Sequence, residues 1–330
     1  MTNTLRGILL GCALSWAAVA SAQQSCANFV TLANAALIPD VGSSTLVQQM
    51  MSGAATWTQQ PLSTRFDPRQ AAAILDDGFR PSRACASNRE RRADPAAFAC
   101  EYTSRRSLET GLEVEMPKGR ITYLNPSRRF DPSGPDNDIG LTQAIEVAAT
   151  TAQGLGVPAN EIETALAIAH PVRLFHIDHA QGNQRRSRRI EVMARVERKV
   201  NGWPVFDSSV QVAVNNEGKP ARVHVVWPDF TLAQTATTTR TRQQLVDAIV
   251  ERFGELGGCT SFVGAKAQVG WIANRDGDTN DEDGGTTASG RYVPGIRVVA
   301  IPPSTADSPQ AGGFVHTFYL PLVVATATDS

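Results

Sequence analysis

The sequence has little net charge, few aromatic residues and few cysteines. Its 330 residues carry 31 Lys plus Arg against 32 Asp plus Glu, a 6% aromatic fraction and five cysteines. This balance argues against a dedicated nucleic-acid binder, which needs a basic surplus. No apolar run reaches the roughly 20 residues that a membrane span requires, so no membrane span is expected. The 42% apolar content is typical of a globular chain.

Signatures of familiar catalytic centres are also missing. The sequence has no H-E-x-x-H zinc motif, no G-x-S-x-G nucleophile motif and no glycine-rich phosphate loop. We therefore expect a protein that is not an enzyme and needs no cofactor. A hydrolase built from scattered residues stays an alternative, because a Ser-His-Asp site has no fixed order along the chain.

The first 22 residues have the pattern of a secretory signal peptide. Arg6 supplies the positive charge, Ile8 to Ala20 the apolar stretch, and Ala20 to Ala22 a small-x-small cleavage site. The mature chain would then be secreted or periplasmic. In the alternative interpretation, Leu9 to Cys12 is a lipoprotein box, but almost no apolar length precedes Cys12.

Removal of the signal would leave four cysteines, an even number in an oxidising compartment. They are Cys26, Cys85, Cys100 and Cys259. Disulfides are therefore expected, with three possible connectivities. We favour Cys85 with Cys100, which closes an arginine-rich loop, and this leaves Cys26 for Cys259. A zinc site is disfavoured because no C-x-x-C pair occurs.

Residues 23–138 are rich in turn formers, and the sequence predicts a largely irregular region there. It contains one clear helix, with Asp67 as N-cap and Pro68 at the first helical position. A hairpin is predicted from Leu112 to Met116 and from Arg120 to Asn125, across a Pro-Lys-Gly turn.

Residues 139–232 are more regular. Apolar residues at helical spacing predict a helix over Leu141 to Leu155. β-rich runs predict the strands Val172 to His179, Ile190 to Val200, Val205 to Val214 and Ala221 to Trp227. Asn201-Gly202 supplies the two positive-φ residues of a type I′ hairpin turn.

Residues 240–325 repeat this plan after a threonine-rich linker. Thr241 and Gln244 form a capping box at the start of a helix. The strands expected after it are Phe262 to Ile272, Tyr292 to Ile301 and Phe314 to Val324. The sequence thus predicts an α+β fold, with two units that each pack one helix on an antiparallel sheet, preceded by the irregular N-terminal region.

The second region resembles the fungalysin/thermolysin propeptide module over roughly residues 139–230. That module has a strand, a turn with Gly-aliphatic-Pro-Val, a long strand, a glycine turn and a third strand. The matching segments are Asn201 to Val205, Val210 to Val214, Glu217 to Lys219 and Val223 to Val226. Trp203 departs from the aliphatic residue of the pattern. Residues 240–325 resemble the related PepSY module more loosely.

The resemblance implies cystatin-like or PepSY-like units without catalytic residues of their own. In that family such modules precede secreted zinc metalloproteases, assist their folding and inhibit them. This chain carries no protease motif, so the resemblance implies a propeptide-like protein without an attached protease. The expected partner is a secreted metalloprotease or another protein.

Two local features could bind that partner. One is the hairpin tip formed by Asn201, Gly202, Trp203 and Pro204. The other is the basic loop around Arg186 and Arg188, which could dock an acidic partner. A solvated turn is the ordinary explanation of such a loop.

An acidic loop between two predicted strands could hold calcium. Asp276, Asp278 and Asn280 present oxygen ligands at alternate positions. The EF-hand pattern fails, however, because Asp281 replaces its glycine and Thr287 its final glutamate. A solvated insertion is the competing interpretation, and a calcium-tuned cell-surface module is the alternative function.

Overall fold

The computed structural model describes residues 27–81, 99–104, 109–128, 136–178, 184–233, 238–258, 261–273, 290–303 and 315–324. The helices are α1 (residues 27–36), α2 (Ser44–Thr56), α3 (Leu62–Arg65), α4 (Pro68–Ile74), α5 (Leu141–Gly154) and α6 (Arg242–Leu256). Short 3-10 turns lie at Met116–Lys118, Pro126–Arg128 and Ala159–Glu161.

The strands described are β1 (Phe79–Pro81), β2 (Ala99–Ser104), β3 (Gly111–Glu115), β4 (Arg120–Leu124), β5 (Ile162–Asp178), β6 (Gln184–Val200), β7 (Trp203–Val214), β8 (Pro220–Val226), β9 (Phe230–Leu232), β10 (Thr238–Thr239), β11 (Gly264–Ala273), β12 (Gly290–Ile301), β13 (His316–Pro321) and β14 (Val323–Val324). The chain divides into two compact units. The larger holds residues 53–232 and 273–292, and the smaller holds the rest.

The larger unit is built on one large sheet. Its antiparallel strands lie side by side in the order β5, β6, β7, β8, β4, β3, β2, β1. β9 adds a parallel pairing with residues 290–292. The strands come from widely separated parts of the sequence, since β4 pairs with β8 across about a hundred residues.

Helix α5 covers one face of this sheet. Its buried alanines Ala144, Ala148 and Ala152 lie one turn apart and let the helix approach closely. Beneath it the strands place alternate valines on the same face. The buried core includes Val192, Ala194, Val196, Val210, Val212, Val223, Val225, Ile121 and Tyr123. The side chains between these positions form the opposite, polar face of the sheet, which we call the outer face.

The predicted fold class is wrong in its architecture. The N-terminal region is not irregular, because it supplies β1 to β4 to the same sheet as β5 to β8. Ile121 lies opposite Val225 and Tyr123 opposite Val223, so the predicted hairpin is the middle of a sheet and not a separate piece. Alternating apolar residues mark each strand, but they do not identify its neighbour.

The smaller unit is also more than one helix on a sheet. Phe29 of α1 packs against Phe253 of α6, with ring centroids 5.2 Å apart. Arg242 donates to the carbonyls of Asn34 and Ile38 at 2.9 and 2.7 Å, so it satisfies carbonyls at the end of α1. β12 pairs with β13, and β10 with β14, both antiparallel.

Several local predictions are confirmed. The Asp67 side chain accepts from Arg69 N at the start of α4. Thr241 and Gln244 form the reciprocal capping box. Asn201 and Gly202 both adopt positive φ, 52° and 82°, as a type I′ turn requires.

The helices of the described residues were also compared with the length and hydropathy that a membrane span needs. None of them is both long enough and apolar enough to cross a bilayer.

Candidate functional site

The longest hairpin of the larger unit extends past the strand beside it. β5 and β6 each have 17 residues, and their pairing continues to Asp178 opposite Gln184. β7 pairs with β6 only between Val192 and Val200. Within the described ranges, residues 173–178 and 184–189 therefore form a two-stranded ribbon beyond β7. We call this ribbon the arm.

The arm is strongly basic. Arg173 lies directly opposite Arg189, and Leu174 opposite Arg188. The remaining arginines of the arm are Arg185 and Arg186, whereas Asp178 is its one carboxylate. Like charges placed opposite each other on paired strands destabilise the pairing. The arginines therefore destabilise the arm unless another group neutralises their charge.

The described side chains of the arm offset this repulsion only in part. Arg173 donates to Ser187 Oγ at 3.3 Å. Arg188 lies 3.4 Å from a carboxylate oxygen of Asp136, whose side chain is more than half exposed. Exposed ion pairs of this kind contribute about 0 to 1 kcal/mol. Leu174, 41% exposed, adds apolar surface beside the arginines.

Asn137 braces the base of the arm where β7 ends. Its backbone N donates to Arg189 O at 2.9 Å, and its carbonyl accepts from Arg189 Nε. Its buried side chain donates to Val214 O at 3.0 Å and accepts from Ile139 N at 2.9 Å. Asn137 thus hydrogen-bonds to both β6 and β7 at the point where β7 ends and the arm begins.

Replacement of Asn137 with alanine should loosen the arm. The carbonyl of Val214 and the amide of Ile139 would lose their partner in a buried place, at a cost of about 1 to 3 kcal/mol. We expect amide hydrogen exchange in residues 184–191 to become faster than in the wild type, while exchange in β8 changes little. Unchanged exchange in residues 184–191 would contradict this role. Asn34→Ala, at an exposed asparagine of α1, is the control.

The opposite end of β6 is fixed by a buried ion pair. Arg198 Nε donates to Glu161 Oε2 at 2.7 Å, and both side chains are almost fully buried. Arg198 also donates to Pro228 O at 2.8 Å, and Trp227 Nε1 donates to Glu161 at 3.2 Å. Burial lowers the pKa of Arg198 from its ordinary value, while the charge of Glu161 opposes that shift.

Aromatic rings enclose this ion pair. The guanidinium carbon of Arg198 lies 4.9 Å from the ring centroid of Trp227 and 4.5 Å from that of Phe230, distances typical of cation–π contacts. Phe230 in turn stacks on Trp57 at 5.2 Å. The cluster anchors this end of β6 through the contacts of Arg198.

A small cleft lies beside the anchor. It measures about 200 Å³ and is lined by Gln59, Asp229, Phe230, Thr231 and Gly290. Burial raises the pKa of Asp229, and Arg198 and a hydrogen bond from Gln59 oppose that rise. Gln59 donates to Asp229 at 3.1 Å and accepts from Phe230 N at 3.0 Å. These polar groups are engaged with each other, which fits a structural role.

The structure separates the residues predicted to bind a partner. Asn201 at the hairpin tip donates its side-chain amide to Gly53 O, Gly202 is exposed, Trp203 is half-buried and Pro204 is buried. Arg186 and Arg188 lie on the arm, at the far end of β6 from that tip. The structure does not bring these two groups together.

The predicted calcium and disulfide residues fall mostly outside the described residues. These are Asp276, Asp278, Asn280, Cys26, Cys85 and Cys259. Cys100 is buried on β2 and disulfide-bonded, with its partner beyond the described ranges, so the pairing stays a prediction. Among the residues that the structure describes, no three His, Cys, Asp or Glu side chains are grouped to hold a metal ion.

Sequence reasoning missed the residues that shape the arm. Arg173 was placed in a predicted strand, but its position opposite Arg189 depends on the pairing register, which contains two irregularities along β5 and β6. The Arg198 anchor gave no signal either, because its partners Glu161 and Trp227 are far from it in sequence.

Comparisons with known proteins identify no family. No family model matches the chain, and no curated protein matches it significantly. A crystal structure of an uncharacterized protein from Eubacterium rectale is similar over 76% of each chain, with 8% identity and a TM-score of 0.35.

Proposed function

We propose that this chain is a non-catalytic binding protein that docks an acidic segment of another protein on the arm. The observation that carries the proposal is the pair Arg173 and Arg189, opposite each other on a ribbon with one carboxylate among its residues. An acidic partner would turn this repulsion into complementary charge. Arginine suits the task because its planar guanidinium binds carboxylates in a bidentate manner.

The form of the arm supports a protein partner. Within the described residues β5 pairs with β6 alone, so its other edge offers backbone groups to an incoming strand. Ile168 and Leu174 expose 56% and 41% of their surface along this strand. An acidic segment with apolar residues at intervals would fit both the charge and the edge.

The class of partner follows from the sequence. The signal-like residues 1–22 support export, so the partner is itself secreted or periplasmic. The resemblance to metalloprotease propeptides favours a secreted protease, which the protein would inhibit or help to fold.

Charge reversal on the arm tests the proposal. Three immobilised baits are compared against the proteins secreted by the source organism: the wild type, Arg173→Glu with Arg186→Glu, and a control with Arg69→Glu and Arg80→Glu. The control makes the same change of net charge at exposed positions of the same unit, on α4 and on β1, which lies at the other edge of the sheet from β5. A partner with an acidic segment should bind the wild type and the control, and bind the arm variant at least about tenfold more weakly, which corresponds to 1.4 kcal/mol.

Salt gives a second readout, since binding through exposed charges should weaken as ionic strength rises. If the arm variant and the wild type capture equal amounts of the partner, the proposal is wrong. If a partner binds but no secreted protease is slowed at stoichiometric amounts, the docking function stands and the protease is excluded as its target.

A further inference from the structure

A two-residue segment ahead of α5 runs along the arm at the point where β7 has ended. Asp136 lies beside Arg188, with its carboxylate oxygen Oδ1 3.4 Å from Nε of the arginine. Asn137 lies beside the next residue of β6, because its backbone N donates to Arg189 O at 2.9 Å and its carbonyl accepts from Arg189 Nε. We call Asp136 and Asn137 the brace. The brace therefore presents two acceptors to two successive arginines of β6.

These arginines belong to the charge that the arm offers to a partner. Arg189 lies opposite Arg173 across the ribbon, and Arg188 lies opposite Leu174. In each row the arginine of β6 contacts the brace, one through its backbone carbonyl and the other through its carboxylate. A carbonyl and a carboxylate on neighbouring residues are the acceptors that an acidic peptide would bring to the arm. The brace thus has the chemistry of the expected ligand.

The two brace residues differ in how firmly they are held. The side chain of Asn137 is buried and donates to Val214 O at 3.0 Å, so its departure would break a buried hydrogen bond. Asp136 exposes 59% of its side chain, whereas Arg188 exposes 22%. Because an exposed carboxylate keeps most of its water, such a pair contributes little stability. Asp136 can therefore give way to another carboxylate while Asn137 stays in place.

We propose that Asp136 is an internal competitor for the arm, which occupies Arg188 until a carboxylate of the acidic partner replaces it. The inference rests on the proposed function, since it concerns the same site. It makes Arg188 one of the positions at which a partner carboxylate binds. It also gives the arm selectivity, because a segment gains affinity only if its carboxylates provide more than Asp136 already does. A segment with several carboxylates, which reaches Arg188 together with other arginines of the arm, meets this condition.

Binding of a fluorescein-labelled poly-glutamate peptide to the full protein, followed by fluorescence anisotropy, tests the competition. Asp136→Asn removes the competing charge and should tighten binding about three- to fivefold, the range that release of a surface ion pair allows. If Asp136 instead stabilised the arm for binding, its removal would weaken the complex. Asp138→Asn is the matched control, because it makes the same change of charge at an exposed position two residues away. At physiological ionic strength, where charges that are not in contact are largely screened, the control should change the affinity little.

A second set of variants assigns the effect to Arg188. Arg188→Gln should weaken binding of the peptide. Asp136→Asn added to that variant should then give no further change, because the interaction between the two residues is already lost. Circular dichroism establishes that each variant is folded. The comparison of Asp136→Asn with Asp138→Asn decides the proposal even if Arg188→Gln does not fold.

The inference is wrong if Asp136→Asn binds the peptide no more tightly than the wild type, if Asp138→Asn has an equal effect, or if neither the wild type nor Asp136→Asn binds it. Failure of the proposed function gives a different pattern. If the arm variant, Arg173→Glu with Arg186→Glu, binds more weakly than the wild type while Asp136→Asn has no effect, docking on the arm stands and the competition is excluded. If the arm variant binds like the wild type, the docking function is wrong and the inference falls with it.

Discussion

Replacement of Arg198 with methionine is expected to destabilise the larger unit by about 3 to 5 kcal/mol. The substitution keeps much of the aliphatic length but removes the positive charge 2.7 Å from Glu161. Glu161, 2% exposed, would then be a buried carboxylate without its cation. The carbonyl of Pro228 would lose its hydrogen bond as well. Urea unfolding followed by circular dichroism measures the loss.

The double variant Arg198→Met with Glu161→Gln separates charge from packing. Glutamine keeps an acceptor for Trp227 Nε1, which now donates to Glu161, and carries no charge. Buried ion pairs replaced as a pair by neutral residues often lose little stability. We therefore expect the double variant to recover more than half of the loss. A double variant as unstable as Arg198→Met alone would show that packing against the rings of Trp227 and Phe230, and not the buried charge, dominates.

Replacement of Gly119 with alanine should have an effect of similar size. Gly119 ends the turn between β3 and β4 at φ 59°, and an added Cβ would lie 2.3 Å from the carbonyl oxygen of Trp227. Its own carbonyl accepts from Trp227 N at 2.7 Å, so the backbone cannot move away without loss of that bond. Left-handed backbone costs about 1 to 2 kcal/mol for alanine, and overpacking about 1 to 3 more. A total near 3 kcal/mol is expected in urea unfolding.

Two other glycines divide this effect into its parts. Gly202 has φ 82° but nothing within 4 Å of an added Cβ, so Gly202→Ala should cost only the conformational part, about 1 to 2 kcal/mol. Gly140 is the N-cap of α5, with an ordinary φ of −66° and equally open space, so its change should cost only the difference between glycine and alanine at a cap, below about 1 kcal/mol. A Gly119 variant no less stable than the Gly202 variant would show that the close approach to Trp227 is easily relieved.

Local structure was predictable here wherever a short pattern determines it. The cap at Asp67, the capping box at Thr241 and the turn at Asn201 depend on residues within four positions of each other, and all are present. Most strands of the second and third regions were also placed within a few residues of their observed bounds. β5 and β6 are exceptions, since the first ten residues of β5 and the first six of β6 were not predicted as strand. The loop predicted around Arg186 and Arg188 is therefore wrong, because both residues lie within β6.

The arrangement of the strands was not predictable in the same way. Ile121 and Val225 are neighbours in the sheet, yet no feature of either segment identifies the other, because any half-buried strand with alternating apolar residues offers a similar face. Arg120, Arg195 and Arg222 have the same origin. They lie in three separate segments, and only the pairing of β4, β8, β7 and β6 places them on one face of the sheet.

The pairing of β4 with β8 has a consequence for any attempt to divide the chain. A recombinant fragment limited to residues 139–232 would expose the whole edge of β8, with Val223 and Val225 ready to pair with a second molecule, and so would tend to aggregate. Conversely, a single proteolytic nick between Arg128 and Asp136 would not release either piece, since the ladder from Arg120 opposite Val226 to Leu124 opposite Arg222 would hold the two cut halves together.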